Sequence, residues 1–494
     1  MKQLIEALQS GNLSTFASDD VTVYAPSLTK VGRSTLLLVK TTAGKKLIAA
    51  GEGEIFDQLT GEIVEGGKVC PLSHENRLAL NQFLPYTAPQ AFGTKVATMG
   101  LGDRLGIASP GHIQTIRGKD IRPVLAQQSI RELALTGRTY EDVLDAAAYA
   151  VFQEGYRDGY GADGDHLKKE EDIEYALRLG FTMLTLDCSE NIDNTIEGLS
   201  ETEIAVKYEQ LPASLRDSYE ERYLQATPNV PGASLTFTRQ SLMKDVLIYA
   251  AAIDFMEAIF RRYITTLERA VDFEISIDET ATPTSPEAHF LVANELRERG
   301  VKIFSMAPRF CGEFQKGIDY IGDIQQFEKE LASHAAIAVH FEYKLSIHSG
   351  SDKFSVFPLI GQYTNGLFHL KTAGTNWLEA VRVVTKVNPS LYRRMHQYAL
   401  EHFEEATAYY HVTTDINAIV SLSNVADAQL PEYMNENNAR QLLHITYGLL
   451  LQAKNADGSK TFADEFFQTL SEQEDAFTEG LKHHIGKHLE LLGK

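Results

Sequence analysis

The run Gly161-Ala-Asp-Gly-Asp-His-Leu-Lys168 carries two carboxylates and an imidazole within four residues. A carboxylate binds a proton or a hard cation, and a neutral imidazole offers a lone pair to a metal. Asp-Gly-Asp is also ordinary turn chemistry, and an Asp ahead of a helix is an ordinary N-cap. The run stands above turn chemistry because comparable polar clusters recur along the chain, each at the end of a predicted strand. In order these ends carry Asp103 and Arg104, Gln127 and Gln128, then Asp163, Asp165 and His166, then Asp187. Asp278 and Glu279 follow, then Arg309 and Glu313, then His348 with Asp352 and Lys353, and last Lys371 and Thr372.

Several of these positions have readable chemistry. In Ser276-Ile-Asp-Glu-Thr a β run stops at two adjacent carboxylates. Neighbours on a strand point to opposite sides, so if the strand persists at most one of the two faces the barrel axis, and Glu279 is the functional candidate. His348 is flanked by Ser, Gly and Ser rather than an apolar wall, which favours a ligand over a core histidine. Arg309 has the fork that grips a substrate carboxylate, and Glu313 offers a third oxygen ligand to a metal. Cys311 has no base beside it and reads as a packed thiol. His340 and His369 sit in apolar surroundings and read as core. His483, His484 and His488 lie on an amphipathic helix without carboxylate company and read as surface residues. Met99-Gly-Leu-Gly-Asp-Arg-Leu-Gly106 follows a strand, but its glycine spacing is wrong for a dinucleotide loop; no nucleotide cofactor is expected.

The elements that must position these groups are short apolar runs alternating with helical segments. The runs begin near residues 95, 121, 160, 181, 272, 301, 344 and 367. Strands of this kind followed by helices imply a parallel sheet covered on both faces, and eight of them predict an α/β fold of the (β/α)8 TIM-barrel type. Polar groups at the strand ends would then share one mouth. Residues 1–95 read as a small N-terminal α+β domain and 96–390 as the barrel. A helical insertion at about 188–271 interrupts the barrel, with an acidic first half placed to act as a lid or peripheral subdomain. Residues 391–494 read as a helical C-terminal region packed on the barrel.

The 494 residues carry 46 Lys and Arg against 67 Asp and Glu, a formal charge of −21. That field disfavours nucleic-acid backbones but leaves room for a local cationic pocket that takes an anionic substrate. Three scattered cysteines form no CxxC pair, which fits a reducing cytoplasm. No apolar run reaches the ~18 residues of a membrane span, so no membrane partner is expected. A homo-oligomer is compatible with this composition.

Taken together, segments 99–106, 161–168, 278–284, 306–310 and 348–354 resemble the tagaturonate epimerase family of bacterial hexuronate breakdown. The resemblance implies a metal-dependent epimerase that interconverts D-tagaturonate and D-fructuronate. It implies an acid–base pair at Asp165 and Glu279 and metal ligation by His166 and a second histidine, assigned to His348. Glu313 as third ligand rests on the residue pattern alone. Imidazole and carboxylate ligands leave Zn²⁺, Mn²⁺, Fe²⁺, Co²⁺ and Ni²⁺ open. Arg309, Asp352, Lys353 and Gln127 are the expected substrate contacts. The two sugar acids differ at C4, whose hydrogen the C2 ketone does not acidify, so retro-aldol cleavage and re-addition is the favoured route. A class-II-type metal-dependent aldolase, a ketose isomerase and a non-catalytic sugar-acid-binding protein are the competing readings.

Overall fold

The structure, a computed structural model, describes residues 1–225, 228–372 and 374–494. Its centre is a closed barrel of eight parallel strands. They are β1 (Thr98–Leu101), β2 (Arg122–Ser129), β3 (Gly161–Leu167), β4 (Met183–Asp187), β5 (Asp272–Ile277), β6 (Ser305–Pro308), β7 (Lys344–Ile347) and β8 (Phe368–Thr372). Each corresponds to one of the eight apolar runs, and β8 pairs with β1 to close the ring.

The strands are less uniformly apolar than a barrel buried on both faces was expected to be. Phe273, Ile275 and Ile277 of β5, or Phe368 and Leu370 of β8, join the surrounding apolar core. The residues between them are polar and buried: Glu274, Ser276, His369 and Lys371. Successive side chains on a strand point to opposite faces, so the apolar set meets the helices and the polar set fills the barrel axis. Lower in the barrel Lys344 donates to Thr98 at 2.9 Å, and Thr98 pairs with His369 at 2.8 Å. His369 is therefore a buried barrel residue with a polar partner. His340 is half-buried against Phe290 and Phe341.

Ahead of the barrel lies a six-stranded antiparallel sheet. Its long hairpin, Arg33–Thr41 with Gly44–Glu52, places alternate residues on opposite faces. Leu36, Leu38 and Leu47 pack toward Tyr149 and Phe152, while Leu37, Val39 and Ile48 pack on Leu4, Ile5 and Leu8 of the first helix. The segment between β4 and β5 is helical. Its main helix, α1 (Arg239–Ile259), opens with a Thr238–Ser241 capping box. After β8 come α2 (Thr375–Val387) and further helices that share a core around Trp377, ending in α3 (Glu474–Leu491). Among the described residues no helix is long and apolar enough to cross a membrane.

Candidate active site at the barrel mouth

The predicted clusters converge at the C-terminal ends of the strands because all eight strands run in one direction. β3 does most of the positioning. Leu184 of β4 pairs with Gly164, but Leu186 pairs with Leu167, so β3 holds one extra residue across this interval. His166 takes up the irregularity with a φ of 54°, a left-handed conformation that a non-glycine residue rarely adopts. Such a bulge re-aims a side chain beside an active site. It lets the adjacent Asp165 and His166 both face the mouth, which a regular strand would forbid.

Lys371 of β8 stands at the centre. Its ammonium lies 2.6 Å from Asp165, 2.9 Å from Asp163 and 2.9 Å from Glu274, and it also donates to the hydroxyl of Thr185. Burial opposes its charge, but the three carboxylates hold its pKa well above the ordinary lysine value. The reciprocal effect sorts the carboxylates. Burial disfavours ionised Asp165, yet Lys371, His166 and His348 outweigh it and hold the carboxyl below its usual range. Asp163, buried and beside the like charges of Asp165 and Glu274, is pushed up to about 7. Gln127 donates to the second oxygen of Asp165 at 3.2 Å and so orients the expected base.

His348 donates from Nε2 to Glu274 at 2.8 Å and presents Nδ1 to Asp278 at 3.3 Å. Burial pushes its imidazole pKa down, but Asp278 and Glu274 lift it to about 10. The site thus favours positive charge at this point. The His166 and His348 rings meet edge to face, 4.9 Å between centroids. Nδ1 of each is buried and makes no hydrogen bond, and that of His166 lies 4.0 Å from Asp187. Two imidazole nitrogens without donors, beside carboxylates, fit a divalent cation. The Nε2–Glu274 bond is the outer contact that fixes the orientation of a ligating histidine.

Glu279 occupies the rim, with 47% of its side chain exposed and Lys168 at 3.6 Å. With His166, Arg131, Lys168, Lys169 and Asp187 it borders a pocket of about 330 Å³. Arg309 of the loop after β6 donates to the carbonyl of Thr280, next to Glu279, and so braces the loop that carries it.

Other expected residues stand elsewhere. Glu313 pairs by its backbone with Ile321. Lys353 gives its ammonium protons to the carbonyls of Gln315, Ile318 and Ser351 at 2.7–2.8 Å, leaving none for a substrate. Asp352 faces Arg440 and His484, at 3.1 and 2.9 Å, and not the mouth. His484 and His488 are buried against that carboxylate, which corrects their expected surface placement; the helix could not reveal a partner more than a hundred residues earlier. Cys311 is buried near Tyr320, and burial pushes its thiol up to about 11, as befits a packed thiol. The 99–106 loop has a structural role. Asp103 accepts N–H bonds from Leu105, Gly106, Ala108 and Ser109, and Arg104 is buried on Glu132 and over the Tyr447 ring.

The residue reading singled out neither Asp163, Glu274 and Lys371 as a unit nor Lys316. Asp163 and Lys371 read as separate strand-end polar groups; Glu274 sits inside an apolar strand, where a charge at an inward position is the signal that finds it. Lys316 has Glu132, Arg104, Arg131 and Asp165 as charged neighbours, and burial pushes its ammonium down to about 8.

A parallel α/β barrel with an ionised carboxylate, a rim carboxylate and a histidine pair at its mouth has the parts of an acid–base enzyme. The sequence profile of the tagaturonate epimerase family matches residues 24–492. The tagaturonate/fructuronate epimerase of Thermotoga maritima is 42% identical over 476 residues, which span 95% of this chain and 96% of that protein. Crystal structures of the fructuronate-tagaturonate epimerase of Cohnella laeviribosi match with a TM-score of 0.96. Identity is 65% for a glycerol complex and 64% for the native form, with 99% of both chains covered in each case. The chain belongs to the tagaturonate epimerase family and is an isomerase of that class.

Proposed function

We propose that this chain interconverts D-tagaturonate and D-fructuronate by inverting C4, through cleavage and re-formation of the C3–C4 bond. The observation that carries the reading is a buried carboxylate held ionised, Asp165 on Lys371, sharing one mouth with the rim carboxylate Glu279 in a chain of this family. Asp165 accepts the C4 hydroxyl proton as the C3–C4 bond breaks and its electron pair moves into the C2 carbonyl. The new C4 aldehyde turns its other face to C3, the bond re-forms, and Glu279 delivers a proton to the C4 oxygen. In the reverse direction the two carboxylates exchange roles. His166, His348 and Asp278 would hold a divalent cation, which when bound supplies positive charge beside the developing oxyanion. Lys316, with Arg131 nearby, takes the substrate carboxylate in place of Arg309 and Lys353.

Chelator-treated protein incubated with D-tagaturonate, with and without each divalent metal, tests the activity by chromatography of both uronates. Metal-dependent D-fructuronate supports it, and no conversion with any metal overturns it. In deuterated water the C–C cleavage route retains hydrogen at C4; deuterium appearing there would replace it with proton transfer. Accumulating three-carbon fragments would mark an aldolase instead.

A further inference from the structure

Glu279 stands on a stretch without regular structure, residues 278–285, between the end of β5 and the helix Pro286–Glu298. Ala281, Thr282 and Pro283 beside it are exposed, so packing does little to fix the carboxylate. The barrel supplies one hold. Arg309 donates to the Thr280 carbonyl, and the Thr284 N–H donates to the Arg309 carbonyl at 2.8 Å. The remaining holds come from the helical insertion between β4 and β5. Ala281 donates its N–H to Oδ1 of Asn194 at 2.8 Å, and Thr282 donates its hydroxyl to Oε1 of Glu197 at 2.7 Å. Further along the insertion, the Thr236 N–H donates to Glu287, in the first turn of the helix that follows the loop, at 3.1 Å. Glu279 is also approached from its other side. Lys168, 3.6 Å from its carboxylate, donates to the hydroxyl of Ser189 at the start of the insertion at 2.8 Å.

The two side chains that grip the loop are themselves fixed. Asn194 and Glu197 share a short helical turn, Asn194–Gly198, which the Asp193 side chain caps and Ile196, 1% exposed, seats in the core. The Asp193 N–H donates to the Ile248 carbonyl of α1 at 3.1 Å, and Lys244 of α1 holds the second oxygen of Glu197 at 2.6 Å. We propose that the insertion serves to place Glu279, with Asn194 and Glu197 as positioning residues that act on the reaction through that carboxylate. This rests on the acid–base role given to Glu279 above. An acid that must reach the C4 oxygen works only near its productive geometry, and a displacement of ~1 Å costs about 10²-fold. An insertion that swung open as a lid would leave the Ala281 and Thr282 donors unpaired, so these contacts mark a fixed support.

A double-mutant cycle in the full chain tests the proposal. Asn194→Ala lowers kcat about tenfold and changes KM by less than about twofold. Asn194→Asp keeps an acceptor for the Ala281 N–H and recovers most of the loss. In Glu279→Gln, whose residual turnover is followed over long incubations, Asn194→Ala lowers kcat by less than about twofold, because the carboxylate it places is gone. An equal loss in both backgrounds, no loss in either, or no recovery in Asn194→Asp overturns the proposal and leaves the role of Glu279 standing. Undiminished turnover in Glu279→Gln overturns that role, and the proposal with it. Amide hydrogen exchange supplies a readout apart from turnover. The peptide covering 278–285 takes up deuterium faster in Asn194→Ala/Glu197→Ala than in wild type, and unchanged uptake overturns the support.

Discussion

The chemistry of the mouth depends on one ammonium. Asp163, Asp165 and Glu274 cannot all ionise in a buried barrel without a cation among them, and Lys371 is within 2.9 Å of each. Lys371→Met therefore raises the pKa of Asp165, so the acidic limb of the kcat–pH profile moves to higher pH. kcat at pH 7 falls by about 10²-fold or more. Stability falls by about 3–5 kcal/mol, the usual result of removing one partner of a buried ion cluster. An unmoved acidic limb would remove Lys371 from the mechanism. Asp165→Asn and Glu279→Gln each lower kcat by about 10²–10⁴-fold, but they separate in denaturant titration. Asp165→Asn shifts the midpoint, because it removes the nearest of the three carboxylates around Lys371, while the half-exposed Glu279 leaves it in place. Near-normal turnover in both variants would end the acid–base assignment. Asp165, His166, Glu279 and His348 are legible in the chain because polar groups cluster where apolar runs stop. Glu274 lies inside such a run, where a residue-type reading takes it for strand, and Lys371, legible as a strand-end charge, shows none of its partners in the sequence.

At the scale of elements, the bulge of β3 and the 99–106 loop place the groups that the strands alone would misdirect. Alternation separates Asp278 from Glu279 only if β5 continues; β5 ends at Ile277, and of the two it is Asp278 that faces His348 while Glu279 lies at the rim. The same rule would separate Asp165 from His166, and the extra residue of β3 defeats it. Behind β1, the carboxylate of Asp103 closes four backbone N–H groups in the turn that carries Arg104. Asp103→Ala leaves those donors in a buried turn, and each orphaned donor costs roughly 1 kcal/mol or more. The expected loss is about 2–4 kcal/mol, seen as a lower denaturation midpoint, whereas Asp103→Asn recovers part of it by keeping one acceptor. Equal stability of the Ala variant and wild type would show that the turn holds without the cap.

Across the whole molecule, the N-terminal sheet and the last helix meet at one carboxylate. Glu474 at the start of α3 accepts from Tyr24 at 2.8 Å, Lys40 at 3.0 Å and Lys45 at 2.7 Å. Burial opposes its ionisation, but Lys45, Lys40 and Tyr24 together hold its pKa below 4.5. A depressed carboxylate contributes stability that is present above its unfolded pKa and lost as pH falls through the folded one. Glu474→Gln therefore costs about 1–2 kcal/mol at pH 7, and its gap from wild type closes as pH drops below 4.5. A gap that stays constant over that range would show that the contact acts by packing alone.

The sequence by itself determined the eight-stranded barrel, because apolar runs alternating with helices admit few other ways to bury both faces of a sheet. It also determined at which end of the barrel the polar residues gather, since they follow every run and parallel strands must bring those ends together. Only the tertiary structure decided which polar residues face one another. Lys371 meets Asp163, Asp165 and Glu274 across the barrel axis, from strands as much as 206 residues and more apart in the chain. Lys353 is absorbed by three carbonyls, and His484 and His488 are buried on Asp352. Periodicity records which face of an element is buried. The partner a buried charge finds there is set by how the elements close on one another, and that partner fixes whether the residue reacts, braces or binds.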